Sequence, residues 1–375
     1  MGRRGNGEGS ITRRKDGLYM ARYTVETATG TERKTLYAKT RKEASEKLTE
    51  ALAQAHKGIT ADAGTMTVGA FIERWLEDSV RGSVRQSTYQ RDESLCRVHI
   101  APGLGKKRLK TLSAADVQRF YRDKLNAHLS SATVHKLHVV LHKALKQAVR
   151  WGLVPRNVAD DVDPPKVHKE EVRPLTNEQA RKLLETARGD RLEALYVLAV
   201  QSGLRQGELL ALRWEDVNLE ARTVQVCRTI TRDGGKLAIG PPKTSKGRRT
   251  VRLTQDAAEA LQSHLARQLA EIDKAGDNWQ EHGLVFCTGK GTLINPTNLR
   301  RRSLAPLLKR ASLPAMTFQQ LRHTAATILL LKNVNPKVVS EMLGHATIAI
   351  TLDTYSHVLP NMQHSAVAAM EEAFS

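Results

Sequence analysis

Two arginines in the second half of the sequence stand where a side chain could bind an anion. Arg205 lies in Ser-Gly-Leu-Arg-Gln-Gly-Glu, between two glycines where one apolar segment ends and the next begins. An arginine at such a junction can point its guanidinium into a groove, and the N-terminus of a following helix adds backbone donors for an anion. Arg322 lies in Leu-Arg-His-Thr inside an apolar helical pattern, where a guanidinium needs an anionic partner.

Three groups that could react or transfer protons accompany these arginines. Lys243 occurs in Pro-Pro-Lys-Thr-Ser-Lys, His345 in Leu-Gly-His-Ala, and Tyr355 in Leu-Asp-Thr-Tyr-Ser-His. A lysine and a histidine can move protons, and a tyrosine hydroxyl can act as a nucleophile. Each signal is weak alone, because a single arginine on an apolar face is more often half of a structural ion pair and a single tyrosine is more often core.

The order of these segments resembles that of the tyrosine recombinase, or phage integrase, family. The shared pattern is Gly-Leu-Arg-x-Gly-Glu, Pro-Lys-Thr, Leu-Arg-His-Thr, Leu-Gly-His and Thr-Tyr. The resemblance covers the whole chain, and its layout is similar to integrases with an arm-site-binding domain. It implies a site-specific DNA recombinase that works through a 3′-phosphotyrosyl intermediate and a Holliday junction, integrating or excising a mobile element. It implies neither a cofactor nor a metal.

The resemblance also implies a role for each matching residue. Tyr355 is expected to attack the scissile phosphodiester, while Arg205 and Arg322 clamp its non-bridging oxygens. Lys243 is expected to protonate the leaving 5′-oxygen, although Lys246 is close enough to be the general acid instead. These assignments predict strand cleavage without nucleotide hydrolysis.

Two further residues are expected to support this chemistry. The resemblance assigns His345 to a hydrogen bond with the phosphate or to proton transfer. Glu208, three residues after Arg205, is expected either to orient that arginine or another group of the site, or simply to cap a helix N-terminus.

One position departs from the family pattern. The family usually has histidine three residues before the second arginine, and this sequence has Gln319 there. A glutamine amide can donate a hydrogen bond to a phosphate oxygen, but it does not exchange a proton near neutral pH. We expect His323 to be structural, because a position adjacent to Arg322 points about 100° away on a helix.

The composition favours a polyanionic partner. The 375 residues include 59 lysines and arginines against 39 aspartates and glutamates, a formal charge of +20. This balance favours nucleic acid first and an anionic membrane surface second. Three scattered cysteines without a C-x-x-C pair argue against a disulfide framework and a cysteine zinc site. No apolar run approaches the roughly 18 to 20 residues that a membrane span needs.

These observations and the resemblance together define the expected partners and location. We expect a cytoplasmic, nucleoid-associated protein of a prokaryotic host that binds double-stranded DNA attachment sites and no membrane. The resemblance implies a homotetramer on DNA and leaves open an excision factor or a host DNA-bending factor. An inactive DNA-binding protein on the same scaffold and a resolvase-type enzyme remain alternatives.

The hydrophobic pattern predicts the elements that position these residues. Residues 1–60 are expected to form an arm-type DNA-binding domain, a small three-stranded sheet followed by a helix that a capping box at Thr40 begins. Strand-like runs occupy Leu18–Val25 and Thr31–Tyr37. Residues 65–155 show helical periodicity throughout and are expected to form an all-α, SAM-like core-binding domain.

Residues 156–174 contain prolines and mixed charges and are expected to be a linker. Residues 175–375 are expected to form a mainly α catalytic domain with a small antiparallel sheet, so that the fold class is multidomain α+β. Its strand-like segments are Thr223–Val226, Arg249–Leu253 and Leu284–Phe286. The apolar residues of Met362–Phe374 are expected to dock on a neighbouring subunit.

A histidine stripe in the helical region requires a separate interpretation. His135, His138 and His142 fall on one helical face, but no fourth ligand is spaced to complete a metal site. We interpret the stripe as polar or DNA-facing.

Overall fold

The computed structural model describes residues 9–27, 30–56, 65–167, 173–233, 235–242, 247–355, 367 and 370–374. The chain divides into two compact units, Met1–Lys169 and Glu170–Ser375. No helix in the described ranges has the length and apolar character needed to cross a bilayer.

The first unit begins with a three-stranded antiparallel sheet and a helix. The elements are β1 (Ser10–Arg13), β2 (Tyr19–Thr27), β3 (Gly30–Ala38) and α1 (Arg41–His56), with β2 between the other two strands. Ala21 and Leu48 are buried between sheet and helix. The expected sheet-plus-helix fold is confirmed. Strand β1 was not located from the sequence, because Ile11 is its one apolar residue and gives no alternation.

The rest of the first unit is helical. Its helices are α2 (Val68–Trp75), α3 (Gln86–Leu95), α4 (Ala101–Leu104), α5 (Ala114–Asn126) and α6 (Ser131–Arg150). Side chains of Thr67, Ser113 and Ser130 cap α2, α5 and α6. The apolar face of α6 is buried in the core of this bundle, with Leu137 and Leu141 fully inaccessible.

The segment expected to be a linker starts inside this helical core. A 3₁₀ turn covers Val158–Asp161, and Ala159 and Val162 pack with the buried residues of the bundle. Hydrophobic periodicity gives no signal for this packing, because a single short turn buries isolated residues rather than a repeating apolar stripe. Residues 168–172 lie outside the described residues.

The second unit is mainly helical with two small antiparallel sheets. Its helices are α7 (Asn177–Thr186), α8 (Glu193–Ser202), α9 (Gln206–Leu209), α10 (Gln255–Ala275), α11 (Pro296–Leu299), α12 (Ala305–Arg310), α13 (Phe318–Leu331), α14 (Pro336–Leu343) and α15 (Ile348–Tyr355). The strands are β4 (Val217–Asn218), β5 (Thr223–Val226), β6 (Thr229–Asp233), β7 (Lys236–Gly240) and β8 (Arg249–Arg252). One sheet has the order β4-β5-β8, and β6 and β7 form a hairpin.

Two of the three expected strands in this unit are present, and the third is not. Leu284–Phe286 is a buried segment with one isolated bridge, between Arg213 and Leu284. Its carbonyl groups are bonded by side chains instead of a neighbouring strand, since His264 Nε2 lies 2.7 Å from Val285 O and Gln268 Nε2 donates to Leu284 O. Polar side chains of α10 thus bond the carbonyl oxygens that a neighbouring strand would bond in a sheet.

Helix α8 lies at the centre of the second unit. Residues 194–200 are all buried, so the helix is apolar on every side and packs against both α10 and α13. It ends at Gly203, which has a φ of +62°. This left-handed residue is the turn that leads the chain to Arg205.

Candidate active site

Arg205 is fixed at the start of α9 by Glu208. The backbone N–H of Arg205 donates to Glu208 Oε2 at 3.0 Å, and its guanidinium Nη1 donates to Glu208 Oε1 at 2.8 Å. One carboxylate thus accepts hydrogen bonds from the main chain at the helix start and from the guanidinium of Arg205. A second guanidinium nitrogen, Nη2, donates to Gly344 O at 3.1 Å.

Arg249 is a member of this cluster that the sequence interpretation missed. Its Nη2 lies 2.9 Å from Glu208 Oε2, and its Nε donates to Met342 O at 2.6 Å. Burial raises the pKa of Glu208, but the hydrogen bonds from Arg249 and Arg205 outweigh burial and hold this pKa below its ordinary value. The alternation of side chains along strand β8 could have indicated that Arg249 faces the protein interior, since it shares a face of the strand with buried Val251.

Arg322 lies almost wholly inside the protein. It is 2 % exposed on α13, and its Nη1 donates to Gly203 O at 2.9 Å. Its Nη2 is buried and has no hydrogen-bond partner among the described residues, and none of the ion pairs found there involves Arg322. Burial, followed by repulsion from Arg205, lowers the pKa of Arg322 to about 9. The anion expected for this arginine is thus not supplied by a carboxylate of the described chain.

A residue of α15, the helix that ends at Tyr355, positions His345. Gly344 ends α14 with a φ of +68°, and the Nδ1 atom of His345 lies 2.7 Å from Thr351 Oγ1. Thr351 is fully buried on α15, four residues before Tyr355. Burial, followed by repulsion from Arg322, lowers the pKa of His345 to about 4, so its imidazole is neutral at pH 7.

Tyr355 is the last residue of α15, and its hydroxyl lies 2.7 Å from the Nδ1 atom of His323. Tyr355 is 2 % exposed, and burial raises its pKa to about 12, although Arg322 lowers it. The expectation that His323 points away from the site is wrong. Gln319 and His323 are separated by four positions, so they share one face of α13, and the 100° offset from Arg322 keeps His323 beside the same cavity.

These residues surround one cavity of about 450 Å³. The lining includes five residues that the sequence analysis assigned to the site: Arg205, Glu208, Gln319, His345 and Tyr355. Arg322 lies on α13 with the lining residues Gln319 and His323, and it is bonded to Gly203. Lys243 and Lys246 lie outside the described residues, but Pro242 and Gly247 on either side of them both line the cavity.

The histidine stripe of α6 forms a polar network. Tyr121 Oη lies 3.0 Å from His138 Nδ1, and His142 Nε2 lies 2.7 Å from Asp160 Oδ1. Within the described part of the chain, no group of three or more histidine, cysteine or acidic residues is placed to hold a metal ion.

Comparison with known proteins agrees with this geometry. Residues 173–362 match the phage integrase family, and residues 67–125 match the phage integrase N-terminal SAM-like domain. A tyrosine recombinase XerC-like protein of Caldanaerobacter subterraneus subsp. tengcongensis is 33% identical over 91% of this chain and 92% of its own length. The chain belongs to the phage integrase family. It is a tyrosine-type site-specific recombinase, and the family and enzyme class expected from the motifs are confirmed.

Further members of the family share the sequence or the fold. An integrase of Streptomyces ambofaciens is 32% identical over 88% of this chain and 86% of its own length. The Tn1549 transposon integrase in complex with transposon right end DNA matches with a TM-score of 0.69 at 24% identity, over 83% of this chain and 100% of that chain. A lambda integrase dimer bound to a COC′ core site matches with a TM-score of 0.59 at 17% identity, over 94% and 96%. The fold class expected from the sequence is confirmed.

Proposed function

We propose that this recombinase cleaves and rejoins the DNA attachment sites of a mobile element through a covalent link between Tyr355 and a 3′-phosphate. The observation that carries the proposal is the buried Nη2 atom of Arg322, which has no hydrogen-bond partner in the described residues. A buried donor without an acceptor costs about 1–3 kcal/mol, and more when it is charged. A non-bridging phosphate oxygen supplies both the acceptor and the negative charge.

The charges around Arg322 support the same ligand. Arg205 and Arg249 are its cationic neighbours, and among the described residues Glu208 is the carboxylate that bonds to them. Three guanidiniums for one carboxylate leave the cluster cationic, and a phosphodiester offsets this excess. As the attacking oxygen approaches phosphorus, negative charge grows on the non-bridging oxygens, and fixed guanidiniums stabilise that charge.

The remaining roles follow from position and protonation state. Tyr355 is the nucleophile, and neutral His345 donates a hydrogen bond to the phosphate. The exposed amide of Gln319 lines the cavity and donates to a phosphate oxygen. Lys243 is the general acid for the leaving 5′-oxygen, a role supported by Pro242 and Gly247, which flank residues 243–246 in the sequence and line the cavity.

The partners and domain roles are proposed from the relatives. The Tn1549 and lambda integrase structures hold DNA, and one lambda integrase structure is a tetramer bound to a Holliday junction. We extend both properties to this chain, with residues 1–60 as the arm-site domain, 65–155 as the core-site domain and 175–375 as the catalytic domain. Its place of action is then the nucleoid. Exposed Val367, Met370 and Phe374 support docking of the C-terminal segment on a neighbouring subunit.

A suicide-substrate assay tests the proposed function. Nicked duplexes tiled across the DNA that flanks the coding sequence are incubated with the protein, and a protein–DNA adduct that survives denaturation is sought. We expect an adduct with the wild type and none with Tyr355→Phe. Tyr196→Phe is the matched control, since Tyr196 is another buried tyrosine of the same unit and bonds to Ser303 in the core. If the wild type binds the duplexes without forming an adduct, the chain is a DNA-binding derivative of the family.

A modified leaving group separates the two lysines. A 5′-thiolate leaves without taking up a proton, so replacing the bridging 5′-oxygen by sulfur removes the need for a general acid. We expect Lys243→Met to cleave the oxygen substrate slowly and the sulfur substrate at nearly the wild-type rate, with Lys246→Met unaffected on both. The reverse pattern would assign the role to Lys246.

A further inference from the structure

The tyrosine hydroxyl has a basic partner to which the family resemblance assigned no chemical role. In the described residues its one hydrogen-bond partner is the Nδ1 atom of His323, at 2.7 Å. Gln319 occupies the position of the usual histidine, and its amide accepts no proton near neutral pH. The Nδ1 atom of His345 is bonded to Thr351. His323 is therefore the described group that combines a titratable nitrogen with contact to the nucleophilic oxygen.

The protonation states of the pair suit transfer from tyrosine to histidine. Burial, followed by Arg322, holds the pKa of His323 below 6.5, so its imidazole is neutral at pH 7 and retains a lone pair. Burial keeps Tyr355 protonated, so the phenol can donate to that lone pair. Both groups line the cavity proposed to bind the phosphate.

We propose that His323 accepts the proton of Tyr355 during strand cleavage, an inference that rests on the proposed function. As Oη bonds to phosphorus, the phenolic proton moves to Nδ1, the bond to the 5′-oxygen breaks, and that oxygen takes a proton from the general acid. In rejoining, the 5′-hydroxyl returns its proton to the deprotonated general acid as its oxygen attacks phosphorus, the bond to Oη breaks, and the imidazolium returns its proton to Oη. The proton balance closes over one cleavage and rejoining cycle.

Transfer and attack must be concerted. A neutral phenol is a far weaker acid than an imidazolium, so full transfer before attack is strongly uphill. The acidity of the phenol rises as its oxygen bonds to phosphorus, and the histidine then becomes a competent base in the transition state. A base that acts in the transition state must contact Oη, and the Nδ1 atom of His323 lies 2.7 Å from it.

The test measures single-turnover cleavage of the suicide substrate by His323→Asn. The asparagine Oδ1 retains an acceptor near the position of Nδ1 but has no basic nitrogen, so a purely positional role largely survives. We expect cleavage to fall about 100-fold or more, the usual contribution of a general base, with DNA binding unchanged. His282→Asn, at an exposed histidine of the same unit, is the matched control and is expected to cleave like the wild type.

A more acidic nucleophile distinguishes a base from a positioning group. Difluorotyrosine placed at position 355 ionises more readily, so it needs less help from a base. We expect it to restore most of the lost rate in His323→Asn while changing the wild type little. A defect that difluorotyrosine leaves unchanged, or wild-type cleavage by His323→Asn, would overturn the inference. If His323→Asn does not fold, His323→Gln also removes the basic nitrogen, and rescue by difluorotyrosine is then the deciding measurement.

The same assay separates this inference from the function on which it depends. If the wild type forms the adduct and the histidine variant cleaves equally fast, the inference fails and the proposed function stands. If the wild type forms no adduct on DNA that it binds, both fail.

Discussion

Glu208 and Arg249 form a buried ion pair in which Oε2 and Nη2 are 2.9 Å apart and the side chains are 4 % and 8 % exposed. The pair connects the short helix that begins at Arg205 to strand β8. Because the same carboxylate also binds the guanidinium of Arg205, its position depends on Arg249. An arginine that does not line the cavity therefore holds one that does.

Removing this arginine is expected to destabilise the protein strongly. Arg249→Leu leaves buried Glu208 with Arg205 as its remaining partner, so we expect a loss of up to about 3–5 kcal/mol, the range for breaking a buried pair. Urea unfolding of the DNA-free protein measures the loss. In Arg249→Leu with Glu208→Gln the under-compensated buried charge is absent, so we expect part of the stability to return. A double variant no more stable than Arg249→Leu would contradict this account.

The hydroxyl of Thr351 is expected to set the tautomer of His345. Thr351→Val keeps the shape of the side chain but removes the partner of Nδ1, so the ring loses the bond that orients it. We expect single-turnover cleavage to fall roughly tenfold, with the free energy of unfolding lower by about 1–3 kcal/mol. Nitrogen NMR of the ring reports the tautomer. Thr186→Val is the control in the same unit, since the hydroxyl of Thr186 donates to Lys182 O on α7 and does not line the cavity. An equal loss of rate there would remove the case for Thr351.

His345 is expected to make the folded state sensitive to mild acid. Its folded pKa of about 4 is below the ordinary 6.5, so the unfolded chain takes up the proton first. Stability from this group is therefore complete above pH 6.5 and is lost as the pH falls toward 4. Urea unfolding at pH 7 and pH 5 should show a smaller difference between the two conditions for His345→Gln than for the wild type. An NMR titration in which His345 protonates near pH 6.5 would contradict the prediction.

Gly203 is expected to tolerate no side chain. Its φ of +62° is in the left-handed region, and an added Cβ would lie 2.6 Å from Leu343 Cδ2. Gly189 has a φ of +78° with no heavy atom within 4 Å of an added Cβ, so Gly189→Ala meets the backbone cost alone, about 1–2 kcal/mol. We expect Gly203→Ala to lose more stability than this control and to cleave more slowly, because Gly203 O holds Arg322. If Gly203→Ala and Gly189→Ala lose the same free energy of unfolding, the expected clash with Leu343 is contradicted.

The site could be predicted from the sequence where a residue acts through its own type and local context. Arg205, Glu208, His345 and Tyr355 were assigned by motif, and the structure places them around one cavity. Those assignments stay predictions of function until cleavage is measured. The general acid is a prediction too, since Lys243 lies outside the described residues.

Residues that act through tertiary contacts were harder to find. Arg249 and His323 were missed because each acquires its role from a partner distant in sequence, respectively Glu208 and Tyr355. Thr351 was missed because its bond to His345 spans the turn between α14 and α15. The direction of the His323 side chain was predicted only relative to Arg322, and this gave the wrong expectation. Its spacing of four from Gln319 would have placed it correctly.

The fold shows the same division between local and tertiary effects. Helical periodicity predicted the helices of residues 65–155, and the capping box at Thr40 predicted the helix that starts at residue 41. Leu284–Phe286 was expected to be a strand because its run of apolar residues is also what a buried strand requires. The hydrogen bonds from His264 and Gln268 that replace the ladder come from another part of the chain.

Both arginines that are proposed to clamp the phosphate are anchored to main-chain oxygens at the ends of helices. Arg322 binds Gly203 O at the end of α8, and Arg205 binds Gly344 O at the end of α14. Helix C-termini carry partial negative charge, which offsets the repulsion between two neighbouring cations. A carbonyl oxygen is present whatever the side chain, so no substitution removes the acceptor atom itself. Substitutions elsewhere in the chain therefore leave both acceptors in place, provided that the two helix ends keep their glycines.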